Sequence, residues 1–300
     1  MSLSHVGASD PKQWLLVGLF PVFLGLAALE ARHFRGTGIY HWRDSLASAT
    51  LGGCYLLSEL LLYPLFVWTV FDWVYGLAPF RIPMNPATFL LLYIAVDFLF
   101  YVYHRTSHRV RWFWATHCVH HASEQMNFTT AMRQSALYAL ALAWLFFLPL
   151  SYLGFPREWI FFALALNLAY QFFLHTQWID RLPAPIEWLF NTPSHHRVHH
   201  GRNARYLDRN YGGTFIVFDR LLGTFTPEDP AEQPEYGITR QVHSYNPVYL
   251  TVHEWIDLFR DVARPGRIRE RLRHFWAPPD WQRPAPTQVP IGSAFAGVEK

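Results

Sequence analysis

The sequence predicts an all-α integral membrane protein, with about four to five transmembrane helices beneath a cytosolic, His-rich cap for two metal ions. Three observations lead there. Of 300 residues, 51% are hydrophobic, 18% aromatic and only 16% charged, too apolar for an ordinary soluble enzyme of this length. The apolar residues gather in runs, most of them before residue 176. Nine histidines form three tight groups and one outlier just beyond such runs: His104 and His108; His117, His120 and His121; His196, His199 and His200; and His175.

The runs cover about 14–29, 46–75, 88–103, 135–155 and 159–173. A spanning helix needs roughly 20 mostly apolar residues, which the second and fourth supply and the others approach. The N-terminal run has no basic stretch and no small-residue cleavage site before Leu15, so it is expected to be an anchor rather than a removed signal. Glu59 and Asp72 interrupt the second run and are expected to face protein or headgroups.

Arginine placement alternates. Arg32, Arg35 and Arg43 follow the first run, Arg81 the second, Arg105, Arg109, Arg111 and Arg133 the third, and Arg157 the fourth. That pattern gives five passes with the N-terminus outside and the C-terminus cytosolic, and puts all nine histidines on the cytosolic face. The division expected is an anchor helix and loop at 1–45, a membrane-embedded catalytic domain at 46–230, and a C-terminal interfacial segment and tail at 231–300. Within the last, 249–274 reads as one or two basic amphipathic helices, on an anionic leaflet or simply capping the site. Residues 215–218 suit a short strand or a packed turn, and the last twenty, rich in Pro, Gly and Ala, a loosely ordered tail. A net charge of +3 does not point to nucleic acid, and two cysteines, Cys54 and Cys118, make no disulfide framework.

On a helix, spacings of three and four turn side chains to one face, so each group aims its imidazoles at one point. A lone interfacial histidine is usually a satisfied structural residue; three such groups on one side are not. Eight or nine ligands exceed what one tetrahedral ion uses, so two ions are expected. A nitrogen shell suits iron, copper, zinc or nickel and disfavours magnesium or calcium, and zinc is expected to occupy such sites on overexpression. Asp97, two helical turns before His104, and Glu124, Asn127 and Asp208 near the groups are candidates to accept the second ring N–H of a ligand. His195 is expected to point off the ligand face, and His5, His33, His41, His243, His253 and His274 to be structural. Redox chemistry on an apolar substrate fits best. A metal-binding or transport protein is the non-enzyme alternative, but transporters place ionisable groups near the bilayer midplane, whereas these lie past run ends.

With those groups in place, the chain resembles the fatty acid hydroxylase/sterol desaturase superfamily of membrane di-iron enzymes over roughly residues 45 to 260. Residues 97–133 (DFLFYVYHRTSHRVRWFWATHCVHHASEQMNFTTAMR) and 187–225 (EWLFNTPSHHRVHHGRNARYLDRNYGGTFIVFDRLLGTF) look most like its alkylglycerol monooxygenase branch. The resemblance implies two Fe ions on His104, His108, His117, His120, His121, His196, His199 and His200, with His175, and oxygenation of a lipid C–H bond by O2. That branch implies cleavage of O-alkylglycerol ethers with tetrahydrobiopterin as reductant; hydroxylation or desaturation of a sterol, carotenoid or fatty-acyl chain is the alternative. Some members carry another His one turn before His175, where this chain has Gln171, so the second ion is expected to be less fully ligated. No pterin motif is legible. With no fused cytochrome b5-like stretch and no Gly-x-Gly-x-x-Gly after a strand, electrons are expected from a separate protein or a diffusible reductant.

Overall fold

The computed structural model describes residues 11–283. His5 and all but three residues of the expected loose tail lie outside that range. Among the described residues the regular structure is helical, with three isolated antiparallel bridges and no sheet.

Helix α1 (Pro11–His33) leads through a short turn into α2 (Trp42–Leu62). A π-helical turn, Tyr63–Val67, joins α2 to α3 (Trp68–Leu77). Pro64 explains that turn: it has no N–H to give the carbonyl four residues back, so the ladder shifts register without ending. The result is one helical rod, Trp42–Leu77, long and apolar enough to cross a membrane. The second such helix is α4 (Pro86–Arg109). Pro86 opens it, and Asn85 and Thr88 cap each other's backbone N–H groups. The third run, short by hydropathy, thus sits in a 24-residue helix, because α4 continues past its apolar part through His104 and His108.

After α4 the chain turns at Val110 into α5 (Arg111–His121). The fourth run departs from expectation, since 135–155 is not one helix. It comprises turns, a 3-10 segment (Ala143–Phe147) and the short α6 (Leu148–Tyr152). Leu142 stands in the left-handed region at φ 65°. Hydropathy measures the length of an apolar run, not its continuity, and here packing overrides helix propensity. Tyr138, Ala143, Trp144, Phe147 and Leu150 lie in the largest buried cluster. The indoles of Trp112 and Trp144 donate to the carbonyls of Ala141 and Ala139, each at 3.0 Å, supplying partners the broken helix lacks.

The fifth run forms α7 (Arg157–Phe172), 16 residues long. Then follow α8 (Ala184–Leu189), α9 (Pro193–His199), α10 (Val217–Leu221), α11 (Pro247–Ala263) and α12 (Ile268–Arg273). Residues 215–218 form the packed turn into α10, with Phe215 bridged to Phe190. The basic amphipathic segment is two helices, and α11 is clamped to α5 by buried Arg111, which bonds Glu254 at 2.7 Å and Asp261 at 2.8 Å.

The helices share two ends. At one, Asp44 at the start of α2 pairs with buried Arg133 at 2.9 Å and accepts from Ser123 at 2.8 Å. There too Glu30 of α1 accepts from the Phe128 amide at 2.8 Å. At the other end, Ile82 N–H donates to Gly154 O at 3.0 Å, and Arg157 pairs with Asp72. The interrupted fourth run therefore still travels from one end to the other. All nine histidines belong to the Asp44–Arg133 end, because α4 and α7 both terminate there.

Candidate metal centre

The structure gathers the nine histidines into two groups, all buried. His104, His108, His117, His121 and His199 form one, and His120, His175, His196 and His200 the other; in each, the ring nitrogens lie within 4.8 Å of one another. Helices α4, α5 and α9 supply eight, at or just beyond their C-terminal ends, and His175 follows α7. The pair His117 and His121, spaced four apart on α5, faces one group, while His120 on the same helix faces the other.

Backbone carbonyls orient the rings. His104 Nδ1 lies 2.9 Å from Tyr211 O, His120 Nδ1 3.1 Å from Arg133 O, His175 Nδ1 2.8 Å from Gln171 O, and His199 Nδ1 2.9 Å from Arg209 O. A carbonyl only accepts, so each Nδ1 carries the hydrogen and each Nε2 presents a bare lone pair. Within each group Nε2 atoms point at one another. His120 and His175 meet at 3.2 Å, and His104 reaches His117 at 2.9 Å, His196 reaches His175 at 2.9 Å and His200 reaches His196 at 3.2 Å. The Nε2 atoms of His108 and His199 are buried with no hydrogen-bond partner.

Two lone pairs at 3.2 Å repel unless a cation lies between them. A proton is a poor candidate, because burial, reinforced by neighbouring imidazoles, holds His117, His120, His121, His196, His199 and His200 well below the usual histidine range. Burial also brings His175 down to about 4. Metal–nitrogen bonds of about 2.1 Å separate neighbouring ligands on one ion by about 3.0–3.4 Å, the spacing seen here. The donor set therefore fits two late first-row ions, one with five imidazoles and one with four. Gln171, one turn before His175, donates through its side-chain amide to Asn167 Oδ1 at 2.6 Å and takes His175 Nδ1 on its backbone carbonyl.

Of the four polar candidates, Asp208 alone is beside a clustered ring, with its carboxylate 3.6 Å from His108 Nδ1 and 2.8 Å from Arg109. Asp208 and Asn210 both take positive φ, 59° and 56°, a conformation these residues tolerate, and so turn the Arg209 carbonyl toward His199. Asp97 instead holds the loop that carries Tyr211, accepting from Thr214 N at 2.6 Å, Phe215 N at 3.1 Å and the Asn167 amide. Asn127 ties its loop to Ile39 O at 2.7 Å, and Glu124 pairs with exposed His243. His195 does point away from the groups, bonding Glu187 at 2.9 Å. His253 is buried against the Leu250 carbonyl at 2.9 Å, outside both groups.

Sequence reasoning missed the carbonyl acceptors, which have no residue identity to read. It also missed Tyr138, whose hydroxyl lies 3.2 Å from His117 Nδ1. It missed the cavity as well: a space of about 370 Å³, bounded at one end by His104, His117, His120 and His175, members of both groups. Its walls come from α1, α2 and α7 and the interrupted fourth run, and half-exposed Phe20, Leu24 and Leu56 rim its open side.

Comparison with known proteins agrees in kind. Residues 89–224 match the family model for fatty acid hydroxylase. Alkylglycerol monooxygenase of Xenopus tropicalis is 39% identical over 198 residues, covering 66% of this chain and 43% of the relative. That of Danio rerio is 33% identical over 271 residues, covering 87% and 58%. The ornithine lipid hydroxylase OlsE of Rhizobium tropici is 29% identical over 164 residues, covering 55% and 49%. The chain spans about half the length of the curated relatives it matches. No solved structure matches it.

Proposed function

We propose, for a chain that belongs to the fatty acid hydroxylase superfamily, that it is a membrane-embedded di-iron monooxygenase that hydroxylates a lipid C–H bond with O2. The observation that carries this reading is the cavity: one apolar space opens on a greasy helix surface and ends against imidazoles of both groups. An ion path needs polar walls along its length, so the cavity argues against transport. His104, His108, His117, His121 and His199 would hold one ion, and His120, His175, His196 and His200 the other. Two irons there would supply oxygen activation.

The chain's own residues do the rest. The carbonyls of Tyr211, Arg133, Gln171 and Arg209 fix the ring tautomers, as outer partners of metal-bound histidines do. Aromatic walls, Phe100, Phe147, Phe161 and Phe172 among them, exclude water and align an alkyl chain with the imidazole end. Rod Trp42–Leu77 and α4 are read as crossing the membrane, with the remaining runs completing a multi-pass body whose histidine end faces the cytosol. Residues 46–230 form the catalytic part, between an N-terminal anchor (1–45) and a C-terminal segment (231–300) whose helices α11 and α12 lie on the membrane surface.

An O-alkylglycerol is the first substrate to test, because the relatives matched at 33% and 39% are alkylglycerol monooxygenases. Hydroxylating the carbon beside the ether oxygen gives a hemiacetal, which collapses to fatty aldehyde and glycerol. Electrons come from tetrahydrobiopterin or from a separate donor protein. The test is purified protein loaded anaerobically with ferrous iron, then given O2, tetrahydrobiopterin and an alkylglycerol. Aldehyde that depends on both iron and pterin supports the reading. Protein holding two irons that releases no aldehyde, yet hydroxylates another membrane lipid, would replace the ether substrate.

A further inference from the structure

Two stretches around α8 and α10 descend from the histidine end along the apolar part of α4. Thr214 and Phe215 give their amides to Asp97, Thr214 Oγ1 lies 2.6 Å from the Tyr93 hydroxyl, and Phe218 packs edge-on against Phe98 with ring centres 5.3 Å apart. Along α4 from Pro86, the first exposed charge is Arg105. A crossing helix needs about 20 residues, and Pro86–Arg105 supplies no more than that. The hydrocarbon therefore extends to the level of Arg105. At about 1.5 Å per residue, Phe98 lies ~10 Å and Tyr93 ~18 Å below that level. The chain packed against them is at the same depth.

We infer that 184–190 and 211–222 enter the bilayer together from the histidine side without crossing it, and that lipid chains cover their outer face. The two stretches are joined: Ile216 N–H donates to Leu189 O at 3.1 Å and Asn191 N–H to Thr214 O at 2.8 Å. Their outer face is apolar and continuous with the exposed Leu91, Ile94 and Phe98 of α4; Leu221 is 75% and Trp188 59% exposed. Irregular backbone at membrane depth is tolerated only where protein satisfies its polar groups. Buried side chains do so here. Asp219 takes the amides of Tyr211 at 2.8 Å and Gly212 at 2.7 Å, Asp97 takes those of Thr214 and Phe215, and the Asn191 amide donates to Gly212 O at 2.6 Å. The three charged side chains in these stretches are also partnered. Glu187 and Asp219 are buried, and Arg220 donates to the Glu187 and Trp188 carbonyls at 3.0 and 3.1 Å and lies over the Phe225 ring. The loop that orients His104 through Tyr211 O is thereby held away from water.

The inference rests on reading α4 as a membrane-crossing helix, and its test reports on the two separately. The full chain, with exposed Cys54 removed as Cys54→Ser, is given one nitroxide label at a time and reconstituted in nanodiscs. Leu221→Cys and Trp188→Cys are the probes. Leu91→Cys on the exposed face of α4 is the hydrocarbon reference, and Ala204→Cys, exposed at the histidine end, is the water reference. Electron paramagnetic resonance then compares collisions with O2, which concentrates in hydrocarbon, and with a nickel chelate, which stays in water. Both probes are expected to match Leu91→Cys, with O2 collisions dominant and nickel excluded. Because both positions are exposed, labelling leaves the packing of the loop intact, and either probe alone decides the matter if the other fails to fold. Nickel access at Leu221 or Trp188 equal to that at Ala204, with Leu91 protected, overturns the inference and leaves α4 in the membrane. Nickel access at Leu91 as well removes the crossing reading of α4, and the inference with it.

Discussion

His120 and His175 face each other through Nε2 atoms 3.2 Å apart, while Arg133 O and Gln171 O hold their Nδ1 atoms from behind. Neither Nε2 can donate to the other, so the contact is stable only with a cation shared between them. His175→Ala should therefore lower bound metal from two ions per chain toward one and abolish oxygenation. Its helical circular dichroism should stay that of wild type. His253→Ala, a buried change outside both groups, should keep both ions. Metal analysis showing two ions in His175→Ala would remove His175 from the centre.

Asp208 is the only carboxylate among the four polar candidates that reaches a clustered imidazole, at 3.6 Å from His108 Nδ1. Outer partners of this kind are worth about 10–100-fold in metal affinity. Asp208→Asn should weaken the five-histidine site by that factor and leave the His175 site unchanged. Chelator competition followed ion by ion distinguishes the two. Equal loss from both sites would mean that the loop had collapsed rather than that one ligand had been loosened.

The histidine groups were legible because helical spacing alone turns His104 with His108, and His117 with His121, to one face. Their division between two ions was not: His117, His120 and His121 read as one group, yet His120 joins the other, because α9 and the end of α7 approach α5 from a different side. Asp97 lies on the expected face of α4, two turns before His104, but a loop 117 residues away captures its carboxylate. The break at Leu142 escaped for a related reason, since the indoles of Trp112 and Trp144 that sustain it leave no pattern in the run itself. Rod Trp42–Leu77, α4 and the pair α11 and α12 followed from apolar length and amphipathic spacing, which are local properties.

Gly52 and Gly53 both line the cavity, but a side chain at each meets different surroundings. A Cβ on Gly52 would stand 2.7 Å from the Met132 carbonyl oxygen, which backbone packing holds in place. A Cβ on Gly53 would meet nothing within 4 Å. Gly52→Ala should therefore cost about 1–3 kcal/mol of stability, as overpacking does. Gly53→Leu should melt like wild type while narrowing the cavity, so its activity should fall more for long alkyl chains than for short ones. Equal losses across chain lengths would place the substrate elsewhere.

Glu187 anchors α9 through a bond from Ser194 at 2.8 Å and contact with His195 at 2.9 Å, and it also accepts from the Leu182 amide at 2.9 Å. Burial alone would raise its carboxyl, but the His195, Leu182 and Ser194 bonds outweigh that and hold it at about 2, below the ordinary 4.5. A carboxylate depressed in the folded state contributes stability that is full above its unfolded value and is lost as pH falls toward the folded one. Its contribution should thus be complete above about pH 4.5 and fade between there and pH 2. Glu187→Gln cannot titrate, so the stability difference from wild type should shrink as pH falls below 4.5. Comparing the two proteins at each pH cancels the protonation of the clustered histidines, which both share. Denaturant unfolding from pH 7 to pH 2.5 reads the difference directly. A difference that does not change with pH would mean that the carboxylate gains nothing from its three partners, and that α9 takes its position from the histidines it carries.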